Sequence, residues 1–96
     1  MNHEEFIDRA KLEVCKYHND KVDTLKEETE VNKMIGKEDV YVVWSCKTLQ
    51  NGKLLLSTTI PDGMYYEVTY NGDKNEIYFD AYEKKENRCI GVKKWV

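Results

Sequence analysis

The stretch Met64–Tyr82, MYYEVTYNGDKNEIYFDAY, constrains this chain more than any other. Two runs of alternating apolar and polar side chains flank a turn, which is the signature of a β-hairpin. Met64, Tyr66, Val68 and Tyr70 share one side, while Tyr65, Glu67 and Thr69 share the other. After the turn, Ile77, Phe79 and Ala81 face away from Glu76, Tyr78, Asp80 and Tyr82. One face of such a hairpin is apolar and has to be covered by another part of the chain.

The N-terminal segment supplies the cover. Asn2 and Glu5 form a capping pair, and the spacing predicts a helix from about His3 to His18. Phe6, Ile7, Ala10, Val14 and Tyr17 recur at helical spacing and make one apolar stripe. Residues 19–39 follow as a charged connection in which Thr24 and Glu27 could cap a short second helix ending near Gly36; unstructured, this length would be unusual in a compact domain.

From Val40 onward the chain reads as strands. Val40, Val42, Trp44 and Cys46 are expected inward, alternating with Tyr41, Val43, Ser45 and Lys47. A loop at Gln50-Asn51-Gly52, with Gly52 left-handed, sets Cys46 opposite Leu56, Trp44 opposite Thr58 and Val42 opposite Ile60. A loop at Pro61-Asp62-Gly63 sets Thr58 opposite Tyr66 and Leu56 opposite Val68. A loop at Asn71–Lys74 sets Val68 opposite Ile77, Tyr66 opposite Phe79, and, on the other face, Glu67 opposite Tyr78 and Tyr65 opposite Asp80. A fifth strand from about Arg88 to Trp95, after a turn at Lys84–Asn87, brings Ile90 and Val92 to the inner face. The expected fold is a single α+β domain over residues 1–96: an N-terminal helix (1–18), the connection (19–39), and a five-stranded antiparallel meander (40–96).

Composition narrows the function classes. The 96 residues are 41% hydrophobic and 34% charged, values ordinary for a globular domain, and no apolar run is long enough to span a bilayer. MNHEEFIDRA is acidic and periodic where a signal peptide is basic and then apolar, so a cytosolic protein is expected. Cys15, Cys46 and Cys89 match neither a disulfide framework nor a zinc pattern, and read as free thiols. Residues 1–39 hold 11 acidic and 7 basic side chains and residues 40–96 hold 7 and 8, so the chain lacks the basic footprint of a nucleic-acid binder.

Candidate sites lie on the outer side of the hairpin. Tyr65, Glu67, Tyr78, Asp80 and Tyr82 offer rigid aromatic area beside acidic groups, the make-up of a surface that recognises a partner. The same tyrosines would serve cross-strand packing on a solvated face. Glu67, Glu76 and Asp80 would need a pocket to separate their pKa values for acid–base work, so no catalytic residue is assigned. Cys15 and His18 lie three apart on the helix, but two ligands do not make a metal site, and neither metal nor cofactor is expected. Cys46 reads as an apolar core residue, and His3 and His18 as surface residues near helix ends. Lys84, Lys85 and Arg88 could meet phosphates, or with Lys93 and Lys94 could guard an edge strand. Trp95 has to dock somewhere, on its own core or on a second subunit of a homodimer.

The runs YVVWSCKTLQNGKLLLST, PDGMYYEVTYNGDKNEIYFDAY and ENRCIGV resemble a family of short proteins from phages and prophages of Gram-positive bacteria, carried as a domain of unknown function. The charged segment 20–39 is longer than that resemblance would lead one to expect. The resemblance implies a phage accessory protein made in the cytoplasm of a bacterial host, and brings no catalytic residues with it. The expectation is a non-enzymatic protein that binds a host component, such as part of an antiviral defence system. The alternative is a sponge for a small, cyclic nucleotide signal, with Lys84, Lys85, Arg88 and Trp95 as its ligand-binding residues. A small enzyme ranks third.

Overall fold

The computed structural model describes residues 1–93. One helix, α1 (His3–Asp20), packs on a four-stranded antiparallel sheet, β1 (Val40–Thr48), β2 (Asn51–Thr58), β3 (Met64–Asn71) and β4 (Glu76–Glu83). The strands neighbour one another in chain order, so the sheet is a meander with β1 and β4 at its edges. The expected α+β layering is present, with four strands rather than five. Residues 84–93 form no strand, and the end of the expected fifth strand, including Trp95, lies outside the described residues.

α1 starts where its cap dictates. Asn2 Oδ1 accepts from the Glu5 backbone at 2.8 Å, and Glu5 Oε1 accepts from the Asn2 backbone at 3.2 Å, so each satisfies a donor that the helix leaves free. Arg9 pairs with Glu13 at 3.0 Å one turn on, and its hydrogen bond holds the Glu13 carboxyl below the usual range. Phe6, Ala10 and Val14 are buried against β1, β2 and β3, with Ile7 and Tyr17 flanking them. Opposite them lie Leu54, Leu56, Tyr66, Val68 and Tyr70, the inner row that the alternation marks. Tyr17 extends the cover to β4, its ring 5.6 Å from Phe79 and 5.7 Å from Tyr66.

The connection holds no second α-helix; a single 3-10 turn, Lys37–Asp39, closes it. Polar side chains organise it instead. Asn19 donates to Ile35 O at 2.9 Å and accepts from Ile35 N at 2.8 Å, which seats Ile35 in the core. His18, expected at the surface, is buried, because its Nε2 donates to the Lys33 carbonyl at 2.8 Å. Asn32 plays the same part farther out, accepting from Asp23 N and donating to the Asp23 and Glu27 carbonyls. Backbone groups that a helix would pair are thus met by asparagines.

The registers differ from those expected, for reasons visible at each turn. Between β1 and β2 the loop is Leu49-Gln50, with Leu49 itself at φ 56, and Thr48 faces Asn51. Gly52 lies in the strand, where a Cβ would come within 3.0 Å of the Phe6 ring, so glycine is there for close packing and not for the turn. Between β2 and β3 the loop runs over Thr59–Gly63, with Gly63 at φ 72, and Leu56 faces Tyr66. Between β3 and β4 it is Gly72–Asn75, with Asn75 at φ 53, and Val68 faces Phe79 while Glu67 faces Asp80. The last two registers move by two residues, which keeps every side chain on its expected face.

The first hairpin behaves otherwise. Val42 faces Leu56 but Trp44 faces Leu55, so Val43 is an extra residue, a β-bulge in the edge strand β1. Beyond it the alternation reverses: Ser45 now shares the row of Leu54, while Trp44 and Cys46 turn to the outer face. Both were expected inward; the bulge corrects both.

Candidate functional site

The outer face is built in rows that cross the whole sheet. Tyr41 lies opposite Ser57 at one end, and Tyr65 opposite Tyr82. The next row is Trp44, Leu55, Glu67 and Asp80, and the one after it Cys46, Lys53, Thr69 and Tyr78. Among the described residues no helix covers this side; α1 is on the other. Its large side chains are consequently wet, with Tyr41 49%, Trp44 42%, Tyr78 47% and Tyr82 52% exposed. Trp44, Cys46, Thr48, Lys53 and Thr69 border a shallow concavity of about 330 Å³.

All five hairpin residues singled out from the sequence, Tyr65, Glu67, Tyr78, Asp80 and Tyr82, lie on this face. Lys53 Nζ stands 3.4 Å from Glu67 and offsets its charge; among the described residues Asp80 and Glu76 form no ion pair. Tyr78 donates its hydroxyl to Glu76, and that bond, with the adjacent negative charge, raises the phenol's pKa and keeps it a neutral donor. Glu67 and Asp80 are cross-strand neighbours on an open face, where water screens both.

Tyr41, expected outward, and Trp44 and Leu55 complete the patch, and none of the three stands among the site residues expected from the sequence. A signal for them exists: Val40-Tyr41-Val42-Val43-Trp44 is five apolar residues in a row, which no regularly alternating half-buried strand accommodates. A bulge resolves it by placing apolar side chains on both faces.

The basic residues do not converge. Lys84 Nζ stands 5.7 Å from the centre of the Tyr65 ring, Lys85 pairs with Glu83, and Arg88 pairs with Glu86. Cys15 is buried, and loss of water raises its thiol pKa, while His18 is held by Lys33; they do not form a joint ligand pair. Among the described residues no cluster of three or more metal-ligating side chains is present, and no helix is long and apolar enough to cross a membrane.

A helix laid on a four-stranded meander, with an aromatic and acidic open face, defines a small α+β sheet protein. A family of unknown function, DUF6275, matches residues 7–92, and the chain belongs to it. No curated protein and no solved structure matches the chain.

Proposed function

We propose that this protein is a non-catalytic binding module whose outer sheet face docks another protein. The observation that carries the reading is the β1 bulge, which adds Trp44 to an exposed patch already holding Tyr41, Tyr78 and Tyr82. Aromatic side chains at the centre of an open face are the residue types that dominate binding energy in protein interfaces. Asp80 and Glu76 favour a partner with basic groups beside its apolar contact. The resemblance of its strands to short phage and prophage proteins of Gram-positive bacteria supports a phage accessory role in the host cytoplasm, with a component of antiviral defence as the partner class.

The test is capture from host lysate by the intact protein, by a Trp44→Ala/Tyr78→Ala variant, and by a Lys11→Ala control on α1. A partner held by the first and third and lost from the second supports the reading; one retained by all three sends it to another surface. The nucleotide-sponge reading competes for the same phenotype. A cyclic nucleotide at a hundredfold over its Kd would stabilise the fold by about 2.7 kcal/mol in a thermal-shift series. No shift with any nucleotide removes it.

A further inference from the structure

We propose that residues 88–93 form a fifth strand on the free edge of β4 in a second copy of this chain, the two copies exchanging the segment reciprocally. Among the described residues β4 is an edge strand, so one side of its backbone has no partner in the sheet. Its inner row is unfinished: Ile77, Phe79 and Ala81 are only partly buried, whereas Tyr66, Val68 and Tyr70 next to them on β3 are buried. An unpaired edge with half-covered apolar side chains calls for another strand.

The chain carries one that it does not use on itself. In Arg88-Cys89-Ile90-Gly91-Val92-Lys93 the branched residues Ile90 and Val92 alternate as strand residues do, yet they are 76% and 92% exposed. At Gly91 an added Cβ would meet nothing within 4 Å, so the segment stands clear of its own sheet. Lys84 N donates to Gly63 O at 2.8 Å beside the start of β3, and the chain continues beyond β4 instead of turning back along it. Lys84-Lys85-Glu86-Asn87 runs on without a turn or bend, which suits an extended hinge. Exchange of an identical element between copies gives the contacts of the intrachain hairpin without that turn.

Register and charge agree on the pairing. Arg88 opposite Glu83 sets Ile90 opposite Ala81 and Val92 opposite Phe79, so both apolar side chains fall on the unfinished inner row. β4 carries Glu76, Asp80 and Glu83, and residues 84–93 carry Lys84, Lys85, Arg88 and Lys93 against one acid, Glu86. In this register Cys89 faces Tyr82.

Two measurements on the full chain decide it. Light scattering on the eluting protein should give about twice the 11.4 kDa of one chain, falling to one chain in an Ile90→Asp/Val92→Asp variant that keeps its circular dichroism. In a Cys46→Ser background, a copy with Tyr82→Cys and Cys89→Ser is co-expressed with a copy that retains Cys89 and Tyr82, and oxidised. A disulfide joining the two versions supports exchange between chains. A single-chain mass overturns the proposal. So does a dimer that survives the double Asp change, or one that forms no disulfide between the two versions.

Discussion

Tyr66 and Tyr78 stand on opposite faces of one sheet, on neighbouring strands, and the same side chain has two different lives there. Tyr66 lies under α1 between Tyr17 and Phe79, and burial pushes its hydroxyl up to about 12. Tyr78 stands in water, and its hydroxyl is raised by the hydrogen bond to Glu76. The difference comes from what lies opposite: a helix covers one face, and among the described residues nothing covers the other. Core packing and solvent-facing aromatic area are therefore carried by alternate residues of the same strands, and changes on one face should leave the other's property intact.

The largest break in that comparison is a cavity under the helix. Leu56→Ala, at a fully buried position, is expected to cost about 2–5 kcal/mol, against no more than about 0.5 kcal/mol for Tyr78→Ala, both read from urea midpoints. Comparable losses at the two positions would mean that the outer face is part of the core.

A pH series sharpens the contrast next. The Tyr66 phenol ionises near 12 in the folded chain and at 10 in the unfolded one, so the unfolded state loses its proton first as pH rises. Its stabilisation is complete below pH 10 and disappears between pH 10 and 12, an effect on the order of 2 kcal/mol. Stability of the parent should fall relative to that of Tyr66→Phe across that window, and parallel curves would refute the assignment.

Asn19→Ala tests whether the connection belongs to the covered side. It removes both hydrogen bonds that seat Ile35, with an expected loss of about 1–3 kcal/mol and faster amide exchange across residues 21–36. Asn32→Ala, whose bonds lie at the surface, should speed exchange in that segment while leaving the global midpoint nearly unchanged. Smallest is Lys53→Met on the outer face. Its ion pair with Glu67 is half exposed, and the change is expected to move stability by less than about 1 kcal/mol and to weaken with added salt.

How far this molecule is legible in its sequence depends on whether local chemistry decides the outcome. Asn2 and Glu5 satisfy each other within one turn, so the helix start can be read directly. The parity of β2, β3 and β4 follows from alternation, and survives even though their loops sit elsewhere than expected. What could not be read turns on contacts distant in sequence. Gly52 resembles a turn glycine until Phe6 is seen against it, and Leu49 takes the left-handed position that glycine would have favoured. His18 looks like a surface residue until Lys33 reaches it. Tyr65, Tyr78 and Tyr82 are legible in the hairpin alone, but the outward turn of Trp44 is not, because regular alternation along β1 holds no inserted residue.

That insertion turns β1 into a reading frame. Removing Val43 would restore the two-residue period with Val42 still opposite Leu56 and Trp44 still opposite Leu55, so Trp44, Cys46 and Thr48 would keep the outer face and Ser45 the inner one. A one-codon deletion at Val43 is thus silent for both sheet faces, whereas deletion of Ser45 with the bulge kept would send Cys46 and Thr48 inward and Lys47 outward.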